Sequence, residues 1–178
     1  LKFGIHIMRG IPRQAVHQNT PILGTEKTAR QVAHHFSVCP WNTDMYGMYT
    51  CEGAQAYYDS IFDMYAKWGI DFVKVDDICV TEFRKWDNPY SAREEVEMIR
   101  KAIDKTGRDI VLSLSPGPAE LSVADHLCEY ANMWRLTGDF WDWWDKLYEM
   151  FDKCEKWYPY VKEGCWPDCD MLPLGNLS

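Results

Sequence analysis

Two carboxylates at the ends of apolar segments are the residues of this sequence best suited to chemistry. In the segment DFVKVDDIC, Lys74 and Asp76 are two residues apart, so on a β-strand their side chains share one face while Val73 and Val75 occupy the other. A charge is costly to bury unless it is paired or has a function. The neighbouring lysine favours an ionised Asp76, which suits a nucleophile or a general base. A second interpretation remains open, in which Asp76 caps a helix or turn beside a solvated Lys74.

The second carboxylate, Asp139, lies in the segment WRLTGDFWD. Arg135 closes an apolar strand, and Asp139 follows a Thr-Gly turn before a segment rich in aromatic residues. A carboxyl group packed against tryptophan is desolvated, which raises its pKa and suits it to donate a proton near neutral pH. Asp139 is also well placed to cap the helix predicted after it. If Asp76 and Asp139 share one site, their separated pKa values predict a general acid beside a nucleophile or base.

Other polar residues have weaker patterns. His6 shares a strand face with Gly4 and Met8, which fits either a hydrogen-bonded core histidine or a residue of a site. Ser115 ends a strand, but no GxSxG motif surrounds it, so a serine nucleophile is not predicted. Asp168 and Asp170 follow a Trp-Pro pair and fit a simple turn.

Apolar periodicity predicts the elements that would position these side chains. Alternation over KFGIHIM predicts a strand, helical spacing that ends at Gly69 predicts a helix, and a Ser91 and Glu94 capping box with a Gly107 stop delimits another helix. Residues 9–52 are predicted to form a long loop with at most a short helix near residues 28–36. The predicted order is strand 2–8, helix 53–69, strand 71–76, helix 91–107, strand 109–115, helix 118–130, strand 131–136, helix 140–157 and a fifth strand within 168–174.

This alternation of strands and helices is typical of βαβ units with parallel strands, so the predicted fold class is α/β. A doubly wound sheet and a (β/α)₈ barrel both fit the pattern, but no GxGxxG or GxxxxGK[ST] motif follows a strand, which disfavours a nucleotide-binding fold. An eight-stranded barrel needs about 250 residues. With 178 residues the chain would form only part of a barrel. Parallel strands carry their ligand sites at their carboxyl ends, where Asp76 is expected to lie.

Composition excludes several classes of function. The net charge is −8 and no run of basic residues is longer than two, so neither nucleic acid nor an anionic membrane is an expected partner. No apolar run approaches the ~20 residues of a membrane span, and no signal peptide precedes the first strand. Seven cysteines leave the redox state open. No CxxC pair is present and Cys165 and Cys169 lack a matching ligand cluster, so no structural metal is predicted.

Four ordered motifs resemble one enzyme family. The segments WGIDFVKVDD, SLSPGPA, ANMWRLTGDFWD and GCWPDCDMLPLG are similar to those of glycoside hydrolase family 27, the retaining α-galactosidases, and PWNTDMYGMY and AQAYYDSIFDMYAKWG resemble its bacterial members. The resemblance implies a (β/α)₈ TIM barrel of which residues 1–178 cover roughly strands three to seven of the catalytic domain. It also implies that the chain cleaves terminal α-galactosides with Asp76 as nucleophile and Asp139 as acid/base.

The same resemblance assigns the remaining site residues. Lys74 and Arg135 match family residues that contact sugar hydroxyls, His6 lies where the family often has an aromatic lining the substrate, and Asp170 with Met171 matches a substrate-contacting pair. The partner implied is a terminal galactosyl glycan or oligosaccharide, and no cofactor is implied. The family habit predicts a periplasmic or secreted protein.

Several alternatives remain open on the residues alone. The sugar is α-galactose, α-N-acetylgalactosamine or β-L-arabinopyranose. A disulfide between Cys51 and Cys79 is compatible with the family pattern, although Cys79 stands one position later than usual. With strands one, two and eight absent, the chain would be either part of a working enzyme or a non-catalytic carbohydrate-binding remnant. A third possible function is that of a lyase or isomerase that forms a Schiff base through Lys74. The position of Asp76 on the same strand face argues against this function.

Overall fold

A parallel sheet covered by helices forms the centre of the computed structural model, which describes residues 1–78, 92–173 and 175. Ser91, in the predicted capping box, and Cys79 lie outside the described residues. The strands are β1 (Gly4–Met8), β2 (Ile11–Pro12), β3 (Ala33–Val38), β4 (Met45–Met48), β5 (Phe72–Asp76), β6 (Val111–Leu114), β7 (Met133–Arg135) and β8 (Trp166–Asp168). The helices are α1 (Arg13–Gln18), α2 (Ala29–Val32), α3 (Glu52–Lys67), α4 (Arg93–Thr106), α5 (Ala124–Tyr130) and α6 (Trp144–Trp157).

The parallel sheet has five strands among the described residues, in the order β1-β5-β6-β7-β8. All four pairings are parallel, and each connection between neighbours from β5 to β7 contains a helix. Parallel strands need such crossovers because their ends lie at opposite edges of the sheet. The predicted α/β class and four of the predicted strands are confirmed. The fifth strand lies at residues 166–168, slightly earlier than expected, and it includes Pro167.

The two faces of the sheet differ in chemistry because side chains alternate along each strand. One face is apolar and packs beneath the helices, where its residues are fully shielded from solvent. This buried face consists of Val73, Val75, Leu112, Leu114 and Trp134. Complete burial of five large apolar side chains makes this face the main source of stability of the sheet.

Helices α3 and α4 cover the buried face and pack against each other. Both were predicted from their periodicity, and both are followed by glycines in the left-handed region, Gly69 (φ 78°) and Gly107 (φ 70°). Glycine adopts this conformation without a steric penalty, which explains why both helices stop there. Trp157, at the end of α6, packs its ring 5.7 Å from that of Trp134. Helix α6 thus packs against the buried face of the sheet at β7.

Residues 9–52 contain much more regular structure than the predicted loop. Strands β2, β4 and β3 form an antiparallel sheet in that order, and α1 and α2 pack beside it. The expectation of a loop with at most one short helix was therefore wrong. The strands are two to six residues long, and β3 carries polar residues such as His34 and His35, so apolar alternation is weak. This inserted sheet lies between β1 and α3 in the chain and is fixed mainly by pairings between distant residues.

No helix within residues 1–78, 92–173 and 175 is both long enough and apolar enough to cross a lipid bilayer.

Candidate active site

The open face of the parallel sheet carries the polar residues singled out above. The register pairs His6 with Lys74, and Lys74 with Ser113, so these side chains lie side by side on three neighbouring strands. Two residues further along, β5 and β7 end in Asp76 and Arg135. Charged and hydroxyl side chains therefore line the carboxyl ends of strands that are apolar on the opposite face. This is the edge at which parallel α/β folds bind their ligands.

Asp76 combines burial with an unused acceptor. Its side chain is 18% exposed, and its Oδ1 atom is shielded from solvent with no hydrogen-bond partner in the part of the chain that the structure describes. Its other oxygen, Oδ2, lies 3.9 Å from His6 Nε2. Buried carboxylate oxygens are almost always hydrogen-bonded, so one that is not requires an explanation. A nucleophile that waits for substrate is such an explanation, whereas a capping aspartate would already have its partner.

Arg135 brings Asp139 and Asp170 together. Its Nη2 atom lies 3.2 Å from Asp139 Oδ1 and 3.0 Å from Asp170 Oδ2, and its side chain is only 4% exposed. Ser115 Oγ accepts a longer hydrogen bond from Nη1 at 3.4 Å. A buried guanidinium needs compensating charge, so the two carboxylates stabilise Arg135 and are themselves held by it. Its Nε atom is also buried, with no partner among the described residues.

The position of Asp170 depends on its local backbone. Its carboxylate also accepts a hydrogen bond of 2.8 Å from the backbone N–H of Phe140, and its own N–H donates to Asp168 Oδ1 at 2.9 Å. Asp170 has a positive φ of 63°, which aspartate tolerates better than most residues. These contacts tie the segment after β8 to the segment after β7. Asp170 is therefore more than the simple turn residue that Trp-Pro suggested, and Asp168 belongs to β8.

Asp139 does not cap the helix that follows it. Helix α6 begins at Trp144, and the residue at its amino-terminal boundary is Trp143. The carboxylate of Asp139 instead pairs with Arg135, four residues earlier. Its side chain is 59% exposed, and Trp141 is exposed as well. The capping interpretation and the expected enclosure by aromatic residues are both wrong, and the ion pair of Asp139 with Arg135 was not predicted.

Lys74 and Met171, the two remaining predicted site residues, are more exposed than Arg135. Lys74 is half-buried in the middle of β5 and shares its face with Asp76. Met171 is exposed and follows Asp170 directly. Six of the seven predicted site residues thus lie on β1, β5 and β7 or in the segments that follow β7 and β8, and Met171 lies beside them on the surface.

A buried ionic cluster behind the site was not predicted. Arg9, just after β1, donates from Nη2 to Asp77 Oδ2 at 2.7 Å and from Nη1 to Glu95 Oε1 at 2.6 Å. Tyr58 Oη donates to the other oxygen of Glu95. Burial, together with the Glu95 charge, raises the pKa of Tyr58 well above its ordinary value. Burial alone would lower the pKa of Arg9, but the charges of Glu95 and Asp77 outweigh it and the pKa is raised.

An aspartate directly after a strand, such as Asp77, is usually a cap or turn residue. It does lie in a turn, with a positive φ of 57°, but its carboxylate is fully buried in the ion pair with Arg9. The only signal in the sequence was an arginine directly after an apolar strand, and such residues are usually solvated. Local pattern cannot reveal a partner 68 positions away.

Comparison with known proteins identifies the family. Residues 20–178 match the model of the family described as alpha galactosidase A, Melibiase_2. The chain belongs to this family, glycoside hydrolase family 27. Among the described residues, the parallel sheet with its helices is part of the (β/α)₈ barrel of this family, as the sequence predicted.

Several proteins with solved structures superpose on this chain. A crystal structure of a β-L-arabinopyranosidase of the family from Geobacillus stearothermophilus is 64% identical, with a TM-score of 0.91 over 98% of this chain and 39% of that chain. A second crystal structure of that enzyme is in complex with arabinose. An α-galactosidase from Saccharomyces cerevisiae is 16% identical, with a TM-score of 0.60 over 100% of this chain and 36% of that chain, and shares the fold.

Curated relatives also match part of this chain. Alpha-galactosidase 2 of Arabidopsis thaliana is 32% identical over 127 residues, which are 71% of this chain and 30% of the relative. The chain thus spans less than half the length of the relatives that it matches.

Proposed function

We propose that the chain forms part of the catalytic barrel of a retaining glycoside hydrolase, with Asp76 as nucleophile and Asp139 as acid/base. The observation that carries the proposal is the buried Arg135, which pairs with both Asp139 and Asp170 at the edge of the sheet where Asp76 has an unpartnered oxygen. Family membership supports the reaction class. The remaining barrel strands would complete the site in a longer chain.

The reaction proceeds in two displacements. In the first, Asp139 protonates the glycosidic oxygen while a carboxylate oxygen of Asp76 attacks the anomeric carbon, and the aglycone leaves as an alcohol. In the second, Asp139 removes a proton from water, the water oxygen attacks the anomeric carbon, and the bond to Asp76 breaks. Each displacement inverts the anomeric carbon, so the released sugar retains the configuration of the substrate.

The exposure and position of the two carboxylates fit these roles. Asp139 is exposed, so it can reach both a leaving group and water, while its ion pair with Arg135 orients it. Asp76 is more buried and is held at the end of a strand, which suits a nucleophile that must approach one atom. Lys74 and Arg135 carry several N–H donors and no acceptors, so they would donate hydrogen bonds to sugar hydroxyls. We propose that His6, Asp170 and Met171 complete the sugar-binding surface.

The substrate is a sugar with the ring configuration of galactose. We propose that β-L-arabinopyranosides are the preferred substrates, and that terminal α-galactosides, expected from the sequence, are a second class. The 64% identity to a β-L-arabinopyranosidase supports the first sugar, and the 32% identity to an α-galactosidase supports the second. The two sugars differ by the exocyclic hydroxymethyl group of galactose. Room for this group therefore decides the preference.

The test measures hydrolysis of p-nitrophenyl β-L-arabinopyranoside and p-nitrophenyl α-D-galactopyranoside by the full-length protein. We expect turnover of at least one glycoside with retention of configuration, read from the first-formed anomer by NMR, and higher kcat/KM for the arabinoside. Asp76→Asn should abolish turnover and keep the fold, as judged by circular dichroism. The matched control is Asp109→Asn, an exposed carboxylate before β6, which should retain full activity. An inverted product, or an active Asp76→Asn variant, would remove Asp76 from the proposed role.

A folded full-length protein that binds these sugars without hydrolysing them would instead support a carbohydrate-binding remnant. Calorimetry with free L-arabinose and D-galactose measures this binding directly. The comparison separates loss of catalysis from loss of recognition.

A further inference from the structure

Two cysteine side chains meet next to the candidate site. Cys154 Sγ on α6 lies 3.3 Å from Cys169 Sγ, which follows the last residue of β8. Cys154 is exposed and Cys169 is half-buried. The two sulfur atoms of a disulfide are separated by about 2.05 Å, so these atoms need only a small approach to form a covalent bond. Neither residue has a role in the proposed hydrolysis.

We propose that Cys154 and Cys169 are an oxidisable pair that forms an intrachain disulfide when the protein meets a low-molecular-weight disulfide. The step is an ordinary thiol exchange. The Cys154 thiolate attacks one sulfur of the reagent, the S–S bond of the reagent breaks, and its other half leaves as a thiol. Cys169 then attacks the Cys154 sulfur and releases the second half. Two protein thiols lose two electrons and two protons, and one reagent disulfide is reduced to two thiols.

The surroundings of the pair set the order of attack. Cys154 is the exposed partner, so it meets the reagent first. Burial, the hydrogen bond with Cys154 and the charge of Cys154 raise the pKa of Cys169 to about 12, so Cys169 is a thiol near neutral pH. Once Cys154 carries a mixed disulfide, its sulfur is uncharged and two of these causes are removed. The closeness of the two sulfurs then favours attack by Cys169 over release of the reagent.

The disulfide would fasten α6 to the segment that positions Asp170. Cys169 lies between Asp168, which pairs in register with Arg135, and Asp170, whose carboxylate contacts Arg135 and Phe140. The bond closes a loop of 15 residues, which restricts the unfolded chain and stabilises the folded one. We expect slower exchange of backbone amides in residues 166–171 and a higher melting temperature in the oxidised protein.

Two other cysteines of the chain differ from this pair in their exposure to solvent and serve as comparisons. Cys165 Sγ lies 3.5 Å from the carbonyl oxygen of Cys128, but Cys165 is fully buried and is shielded from reagents. Cys51 is exposed and lies at the start of α3, away from the Cys154 and Cys169 pair. Cys51→Ser is therefore the matched control, because it removes an accessible thiol and leaves the pair intact.

The experiment treats the folded full-length protein with oxidised glutathione, blocks remaining thiols, and maps the digested protein by mass spectrometry without reduction. We expect a peptide pair joined through Cys154 and Cys169, present in wild type and in Cys51→Ser, and lost in Cys154→Ser and Cys169→Ser. Reduction with dithiothreitol should reverse both the cross-link and the rise in melting temperature. A persistent glutathione adduct on Cys154 without the cross-link, or no reaction at Cys154, overturns the proposal. The readout does not depend on hydrolysis, so failure of this proposal can be distinguished from failure of the proposed function.

Discussion

The guanidinium of Arg9 lies 2.7 Å from the carboxylate of Asp77, the residue that follows the proposed nucleophile Asp76. Arg9 Nε also donates to the Asp77 carbonyl oxygen at 2.6 Å, and the Arg9 backbone N–H donates to the Asp76 carbonyl oxygen at 3.0 Å. Three hydrogen bonds from one residue thus hold the backbone at the end of β5. The orientation of the Asp76 carboxylate depends on this backbone, so Arg9 supports the site without facing it.

Arg9→Met is expected to lower the free energy of unfolding by about 3–5 kcal/mol, because it removes the cation shared by two buried carboxylates, Asp77 and Glu95. Urea denaturation followed by circular dichroism measures the change. The control is Lys67→Ala, which removes an exposed ion pair with Asp63 and should cost less than about 1 kcal/mol. Equal losses in the two variants would show that the buried cluster contributes no more than a surface pair.

Gly47→Ala should disturb the same cluster from the inserted sheet. A methyl group at Gly47 would overlap Arg9 Nη1 and Ser37 Oγ, so one of these side chains must move. We expect a loss of about 1–3 kcal/mol in the free energy of unfolding, as for overpacking in a core. Gly138→Ala serves as control, since no atom lies within 4 Å of the added methyl group. Wild-type stability of Gly47→Ala would mean that Arg9 repacks freely.

Asp139→Ala should slow hydrolysis in a way that depends on the leaving group. Loss of the general acid matters most for alkyl aglycones, which need a proton to leave, and least for dinitrophenyl aglycones, which do not. We expect a larger loss of kcat/KM, by a factor of about 10² or more, for the poor leaving group. The measurement is kcat/KM of the wild type and of Asp139→Ala on an alkyl glycoside and on a dinitrophenyl glycoside of the same sugar. A uniform loss for both leaving groups would argue against Asp139 as the acid.

Stability should fall on acidification through His126. Burial lowers the pKa of His126 below its ordinary value of 6.5, although the hydrogen bond with Glu97 at 3.1 Å opposes this shift. The unfolded state therefore binds the proton more readily than the folded state, so this contribution is complete above about pH 6.5 and is lost as the pH falls through the lower folded value. His126→Gln should flatten the dependence of unfolding free energy on pH between 7 and 5.

Replacement of Glu97, the hydrogen-bond partner of His126, tests the direction of this pKa shift. Glu97→Gln removes a group that raises the pKa of His126, so the titration of its ring, followed by NMR, should move to lower pH. A shift to higher pH would reverse the assigned roles of burial and Glu97.

Local periodicity predicted the elements of the barrel because their apolar patterns repeat within the element itself. Strands β1 and β5 alternate, and α3 and α4 have one apolar stripe and a glycine stop. The last strand was predicted within residues 168–174, whereas β8 covers residues 166–168 and includes Pro167. Proline is tolerated on edge strands, and β8 pairs only with β7 among the described residues.

The tertiary contacts could not be predicted from local pattern. Asp139 has the sequence context of a capping residue, but α6 begins only at Trp144, too far along the chain for Asp139 to cap it, and the carboxylate pairs with the buried Arg135 instead. Asp77 and Arg9 are distant in sequence, and the inserted sheet depends on pairings between short strands. The resemblance to family 27 assigned expected roles to Asp76 and Asp139 where spacing alone left capping open.

The inserted sheet also has a consequence for the order in which the chain folds. Strands β5, β6 and β7 follow one another along the chain with α4 or α5 between neighbours, whereas β1 must reach β5 across the whole of residues 9–71. Closing a longer loop costs more chain entropy before any contact compensates it. We therefore expect β5, β6 and β7 to assemble first and β1 to join late, when the inserted sheet has shortened the effective loop. His6 and Arg9, carried by and next to β1, would then be among the last residues of the site to reach their native positions.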